Sequence, residues 1–313
     1  MVLLPSSKTA SKGSAHPKRT QRHRLAPRLD AAMACDTAFR IVAGRCLGDL
    51  TANHRATCAG DADALHQMRI ALTRLRTAIA FFSPMVAGPQ RTRLRDELKW
   101  LNAHLGVVRD LDVAIEWLKA IDKRRPQADY RAWSRERAAS QQHLTRVLRS
   151  ARYQRMVKSI SRWIERGSWS TKKGKQAAKE RACPVSEYSA RKLTRWREKL
   201  ITRSRELRDL GTKKRHRLRL LNKKLSYAIE SIADLVSDGE ISRQQATLKA
   251  LRKAQKSLGQ LNDDARCRSL AATLGRGSVR GSHPFLGPKR ERRLIRTAAT
   301  AYEKLAELTP FRI

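Results

Sequence analysis

Apolar residues recur every three or four positions from residue 30 to the end of the chain. This spacing places them on one face of an α-helix, and few segments show the strict alternation that is typical of a half-buried strand. The pattern therefore predicts an all-α fold. Eight helices are expected, over residues 30–57, 62–82, 90–122, 128–166, 185–208, 212–236, 241–274 and 288–308.

Several of these boundaries coincide with residues that begin or end helices. Asp61 is suited to cap the second helix, because its carboxylate can accept hydrogen bonds from the first free backbone N–H groups. Gly167 is suited to end the fourth helix, and Pro288 falls in the first turn of the last one. The stretch after Gly167 is rich in lysine and predicts a solvated linker between two sets of four helices.

One pattern occurs twice, 150 residues apart, and each copy begins with a histidine. From His66 and from His216, basic residues follow at +3 and +8, and apolar residues follow at +9, +12 and +13. On a helix, the histidine and the +3 residue lie opposite the apolar face. A solvated basic face is the simplest interpretation. Solvent does not specify a histidine at the same register twice, however, so we favour a functional face.

A second element is repeated 153 residues apart and supports the division into halves. Leu105-Gly106 followed by Asp110 matches Leu258-Gly259 followed by Asp263. Because glycine weakens a helix, each glycine is expected to interrupt a long third helix, which the aspartate then caps anew. The predicted organisation is a disordered basic arm (1–29), a first four-helix repeat (30–167), a basic linker (168–184) and a second four-helix repeat (185–313).

The charge of the chain points to a polyanionic partner. Lysine and arginine number 68 against 28 acidic residues, which gives a formal net charge of +40. Self-repulsion on this scale destabilises a compact fold unless bound anions relieve it. Nucleic acid, polyphosphate and an anionic membrane surface all qualify. Aromatic residues make up only 5% of the chain, and no segment interleaves them with glycine and basic residues as base-stacking modules do, which argues against recognition of bases.

The rest of the composition indicates in which cellular compartment the protein is expected. Residues 1–29 are basic and contain no acid, so they are interpreted as a disordered arm, although they also resemble an organelle transit peptide in composition. The five cysteines are widely spaced, which favours a reducing cytosol. No apolar run is long enough to span a membrane and no signal-peptide core is present, so we expect a soluble protein.

Two halves related by a pseudo-twofold axis would bring both basic faces together around a shared central cleft. Unpaired cations that face each other require an anion between them, so such a cleft is expected to bind one. The fifth predicted helix adds a basic edge at four-residue spacing, along which a chain of charges can lie: Arg191, Arg195, Lys199 and Arg203.

These motifs resemble the CHAD domain, a helical family named for its histidines. The similarity rests on Leu65-His66-Gln67-Met68-Arg69 to Arg76, on the segment Leu105-Gly106 to Asp112, and on their counterparts His216 to Ala228 and Leu258-Gly259 to Asp263. It covers the chain from about Asp30 onward. The resemblance implies two pseudo-symmetric four-helix bundles whose basic central surface binds inorganic polyphosphate, often at polyphosphate granules.

By position, the resemblance implies nine polyphosphate-binding residues: His66, Arg69, Arg74, Arg76, Arg109, His216, Arg219, Lys223 and Lys224. Two positions depart from the family pattern. Thr73 stands where the first copy usually has arginine, and Ser226 where the second usually has a basic residue, so a weaker or narrower site is expected.

Other chemistries are less well supported by the sequence. A metal site is disfavoured because arginines lie one helical turn from each motif histidine and repel a dication. His104 and His143 are further histidines that a bundle can bring near His66, but polar surface positions explain them equally well. No P-loop, no nucleophile triad and no carboxylate set for Mg²⁺ is apparent, so we expect a binding protein with no cofactor rather than an enzyme.

The predicted function is therefore polyphosphate binding by a cytoplasmic, granule-associated protein. The alternative is a basic helical protein that binds nucleic acid nonspecifically, since a charge of +40 binds DNA or RNA at low salt whatever its natural ligand. The motifs do not resemble a helix-turn-helix or a zinc finger. No oligomeric state follows from the sequence.

Overall fold

A computed structural model of the chain describes residues 27–121, 127–171, 174–273 and 286–313. Within these ranges the chain is α-helical and has no strand, only an isolated bridge between Ala34 and Pro184. The predicted all-α class is confirmed. The helices are α1 (Cys35–Ala52), α2 (His54–Cys58), α3 (Ala62–Phe81), α4 (Pro89–Ile121), α5 (Gln127–Arg149), α6 (Ala151–Arg166), α7 (Lys175–Ala182), α8 (Val185–Ser204), α9 (Thr212–Ser231), α10 (Ile241–Thr273) and α11 (Pro288–Glu307). Nearly all of the predicted basic arm lies outside the described residues.

The predicted helix ends are observed where their local chemistry is strongest. Asp61 caps α3, and its carboxylate accepts hydrogen bonds from the N–H groups of Asp63 and Ala64 at 2.8 and 2.9 Å. Gly167 ends α6, and Pro288 occupies the first turn of α11.

Three predicted segments differ from the structure. The helix expected over 128–166 is two helices, because Ser150 adopts an extended backbone and its hydroxyl accepts a hydrogen bond from the N–H of Tyr153. The helix expected over 30–57 begins only at Cys35 and is divided into α1 and α2 at Asn53. The segment expected to be a solvated linker contains the short helix α7, which contacts α1.

The expected interruptions at Gly106 and Gly259 are wrong. Both glycines lie in the interior of continuous helices, α4 and α10. Asp110 therefore caps nothing and instead forms an ion pair with Arg266 of α10, with 2.8 Å between their nearest atoms. The glycines require an explanation other than helix breaking.

The helices that carry the repeated motifs pack against one another. The motif helices α3 and α9 are in contact, and so are the glycine-bearing helices α4 and α10. One hydrophobic core extends from Leu29 to Leu305 and therefore includes residues on both sides of the predicted linker. A buried hydrogen bond from the Tyr188 hydroxyl of α8 to the Phe81 carbonyl, at 2.6 Å, adds a polar connection across the same boundary. The domain limits and the pseudo-symmetry stay predictions.

Candidate anion-binding site

A group of cations lies where α3 packs against both α4 and α9. On α9, the predicted core face is buried at Leu218, Leu225 and Ile229, and this orientation presents the basic residues of the helix away from the core. Beyond the effect of burial, the charge of Arg219 lowers the pKa of Arg69 and Lys223, and that of Arg109 lowers the pKa of His66. We call this group the central basic cluster; it comprises His66, Arg69, Arg109, Arg219 and Lys223.

Two guanidinium groups of this cluster are incompletely satisfied. Arg69 Nη1 and Arg219 Nε are buried and have no hydrogen-bond partner within the described residues. A buried polar group without a partner costs free energy, and the cost is larger when the group is charged. These donors are therefore suited to oxyanion acceptors.

The electrostatics of the cluster disfavour positive charge. Burial lowers the pKa of Lys223 to about 8, assisted by the charges of Arg219 and Arg69. Burial also lowers the pKa of His66, and Arg109 and Lys223 act in the same direction. The imidazole of His66 is therefore biased toward its neutral form, and an anion bound nearby would oppose that bias.

Gly106 makes room for the side chain of Arg69. A Cβ atom at this position would lie 3.1 Å from Arg69 Nη1, closer than carbon and nitrogen normally approach, whereas a Cβ atom at Gly259 would meet nothing within 4 Å. Glycine at position 106 thus permits the guanidinium group to lie directly against the backbone of α4. This is the physical role of a residue that the sequence marked only as a helix breaker.

Few carboxylates neutralise the cluster. Burial lowers the pKa of Arg69, and Asp110, which opposes this effect, is itself engaged by Arg266 at 2.8 Å. Asp263 acts on Lys223, and Arg109 has a long contact of 3.7 Å to Glu116. The cations that face one another outnumber these acids, so an excess of positive charge remains.

Arg74 lies next to the cluster but is paired. Its guanidinium group donates a hydrogen bond to Glu230 at 3.1 Å and lies 5.4 Å from the ring centroid of Tyr227. The ammonium group of Lys223 lies 5.8 Å from the centroid of the same ring. Tyr227, a residue that sequence reasoning missed, thus connects Arg74 to the central basic cluster.

Arg76 and Lys224 lie at a second basic surface, toward α8. The charges of Arg76 and Lys199 support burial in lowering the pKa of Lys224. Lys224 also lines a cavity of about 460 Å³ beside α8. The basic edge predicted on this helix is only partly free: Arg195 and Lys199 line the cavity, whereas Arg191 pairs with Glu187 at 2.8 Å.

The structure places His216 away from the contacts of the central cluster. It is exposed, and its Nδ1 lies 2.7 Å from Asn262 Oδ1. Both residues line a cavity of about 490 Å³ in which cations are already paired, as in the 3.0 Å contact between Arg215 and Glu291. The contacts of His216 therefore lead toward α10 and α11, and the single cleft expected for both histidines stays a prediction.

Thr73 and Ser226, which occupy the two positions that depart from the family pattern, do not direct their hydroxyl groups into the cluster. Thr73 Oγ1 donates to the carbonyl of Arg69 at 2.8 Å, and Ser226 Oγ donates to the carbonyl of Asn222 at 3.1 Å. Both are hydrogen bonds to the preceding turn of the same helix.

The histidines considered as metal ligands adopt a different arrangement. The rings of His104 and His143 lie 5.3 Å apart and the ring of Trp100 lies 5.2 Å from His104. In the parts of the chain that the structure describes, no three His, Cys, Asp or Glu side chains come together as a metal site.

Sequence reasoning missed Gly106, Asp110, Tyr227 and Arg266 as parts of this region. The first two belong to the second repeated element, so their recurrence was a signal, although it was interpreted as helix capping. Nothing in the local sequence distinguishes Arg266, because its pairing with Asp110 depends on how α4 and α10 pack.

The fold and the site together define a class of protein: it is all-α and contains a buried basic cluster with too few acidic partners. A family model of the CHAD domain matches residues 41–272, and the chain belongs to this family. A crystal structure of the CHAD domain from the plant Ricinus communis is similar, with a TM-score of 0.75 and 24% sequence identity over 96% of this chain and 99% of that chain. No match was found among curated proteins.

Proposed function

We propose that this protein binds inorganic polyphosphate through the central basic cluster and associates with polyphosphate granules. The observation that supports this most directly is the pair of buried, unsatisfied donors on Arg69 and Arg219. Phosphate oxygens accept such hydrogen bonds, and guanidinium groups bind them in a forked geometry. A linear polymer of phosphate supplies many such acceptors in sequence.

A binding role accounts for the cluster better than a catalytic one. Phosphoryl transfer generally requires metal ions held by carboxylates, and Asp110, which lies beside the cluster, is already paired with Arg266. Nucleic acid is the second candidate, favoured by the net charge of +40. The two ligands differ in whether a built site or total charge provides the affinity.

The test compares two variants that remove the same charge. The first replaces Arg69, Arg219 and Lys223 with glutamine, and the second replaces Lys8, Lys12 and Lys18 of the predicted arm. The cluster variant is expected to bind long-chain polyphosphate at least about tenfold more weakly than the arm variant, since hydrogen bonds to charged groups contribute about 1.5–3 kcal/mol each. Fluorescence anisotropy with labelled polymer measures both.

Thermal unfolding of the same variants keeps this experiment interpretable. Removing buried, mutually repelling cations should leave the cluster variant at least as stable as the wild-type protein. Equal losses of affinity in the two variants would mean that net charge, and not the cluster, provides binding.

A further inference from the structure

A further concave basic surface, separate from the central basic cluster and from the surface of Arg76 and Lys224, lies between the first half of α4 and the whole of α6. We call it the α4–α6 groove. It encloses a cavity of about 590 Å³ and is lined by Gln90, Arg93, Leu94, Glu97, Arg152, Arg155, Met156, Ser159, Arg162, Trp163, Arg166 and Gly167. None of these residues belongs to the central basic cluster.

The arginines of α6 form a regular stripe along the groove. Arg152, Arg155, Arg162 and Arg166, with Ser159 at the middle, follow one another at intervals of three or four residues. They therefore share one helix face about 21 Å long, at 1.5 Å per residue. The opposite face anchors the helix, because Ile160 and Ile164 are buried in the core.

The groove has little internal neutralisation. Glu97 is the one carboxylate in its lining, and Arg152 engages both of its oxygens at 3.1 Å. No ion pair within the described ranges involves Arg93, Arg155 or Arg162. These three arginines are exposed to solvent, but unlike an ordinary solvated stripe they line one concave surface together and lack a counter-charge.

The chemistry of the lining favours phosphate without bases. All the cations are arginines, which bind oxyanions in a forked geometry. No aromatic ring is free for base stacking: Trp163 is 4% exposed, and the guanidinium carbon of Arg152 lies 4.1 Å from the ring centroid of Trp100.

The groove and the central basic cluster occupy different sides of α4. Arg93 and Arg109 are separated by 16 positions, which corresponds to a rotation of about 160° around the helix axis. One segment of a flexible phosphate chain bound at each surface would therefore lie on opposite sides of this helix.

We propose that the α4–α6 groove is a second polyphosphate-binding site and that one protein molecule thereby bridges two polyphosphate segments. This inference rests on the proposed function of the central basic cluster. Bridging converts a protein that coats the polymer into one that cross-links it, since linked sites hold two chains at high effective concentration.

The test measures bridging directly. Beads coated with polyphosphate are incubated with the protein and then with fluorescently labelled polyphosphate. The wild-type protein is expected to capture the label. In the groove variant, Arg155, Arg162 and Arg166 are replaced by glutamine. It should still bind the beads through the central cluster but capture at least about tenfold less label, because three forked contacts are lost.

A matched control removes three arginines elsewhere. Arg290, Arg293 and Arg296 are exposed on α11 and line none of the described cavities, so their replacement by glutamine should leave capture unchanged. The variant with Arg69, Arg219 and Lys223 replaced should lose capture but still bind beads through the groove. Circular dichroism confirms that each variant is helical.

The outcomes separate the two proposals. Capture that persists in the groove variant would overturn the bridging inference and leave the proposed function standing. A wild-type protein that does not bind the beads would overturn both. If the groove variant loses binding to duplex DNA but still captures labelled polyphosphate, the groove is a nucleic-acid surface, which also overturns the inference.

Discussion

A single methyl group added at Gly106 should weaken polyphosphate binding, because it would displace the side chain of Arg69. Replacing Gly106 with alanine adds a Cβ atom that would lie 3.1 Å from Arg69 Nη1, so the guanidinium group must move. Alanine also stabilises a helix interior by about 1 kcal/mol relative to glycine. We expect the variant to be at least as helical as the wild-type protein and to bind polyphosphate several-fold more weakly.

Gly259→Ala is the matched control for this prediction. It gives the same gain in helix propensity, but the new Cβ atom meets nothing within 4 Å. Titration with labelled polyphosphate should therefore show unchanged affinity. If Gly106→Ala and Gly259→Ala bind equally well, the position of the Arg69 guanidinium group does not matter for binding.

Lys223 should make binding depend on pH above neutrality. Its pKa is lowered to about 8, so the free protein loses this charge as the pH rises through that value. A bound phosphate stabilises the ammonium form and raises its pKa, so binding takes up a proton and affinity falls at higher pH. The loss is at most about tenfold per pH unit above 8, because one proton is involved.

Dissociation constants measured between pH 7 and pH 9 check this prediction. Lys223→Arg keeps its charge throughout the range and should flatten the profile. An unchanged profile in that variant would assign the dependence to another group.

One buried hydrogen bond contributes to the contact between α8 and α3, beside the packing of Phe81 against Tyr188 and Trp196. Tyr188→Phe removes the donor to the Phe81 carbonyl, at 2.6 Å, and leaves that carbonyl unsatisfied. The expected loss in the free energy of unfolding is about 1–3 kcal/mol, measured by urea denaturation. Tyr302→Phe is the control, since the buried Tyr302 hydroxyl has no partner in the described structure and its removal should cost nothing. Equal losses in the free energy of unfolding in the two variants would show that the hydrogen bond to the Phe81 carbonyl does not stabilise the fold.

The helices were predictable from sequence where local chemistry decides them. Apolar periodicity and the Asp61 cap predict α3 because both act within a few residues. The continuity of α4 through Gly106 was not predictable, since packing against α3 and α10 outweighs the glycine penalty of about 1 kcal/mol. The break at Ser150 was missed for the opposite reason: a single serine cap interrupts an otherwise continuous pattern.

The whole-molecule arrangement explains which candidate residues meet. Recurrence of the motif identified four basic-face residues: His66, Arg69, Arg219 and Lys223. Contact between α3 and α9 brings them together in the central basic cluster. The exposed position of His216 depends on where α10 and α11 pack, which a repeat 150 residues away does not encode. The sequence therefore identified most residues of the central basic cluster, and their role in binding stays a prediction.

Competition between polyphosphate and DNA tests the central claim most directly. With the protein bound to a labelled DNA duplex at fixed salt, unlabelled long-chain polyphosphate is titrated, and the reverse titration is then performed. Because nonspecific binding depends only on phosphate charge, a built polyphosphate site is the reason to expect asymmetry. We predict that polyphosphate displaces DNA at a far lower phosphate concentration than the reverse. Equal competition per phosphate would contradict the account.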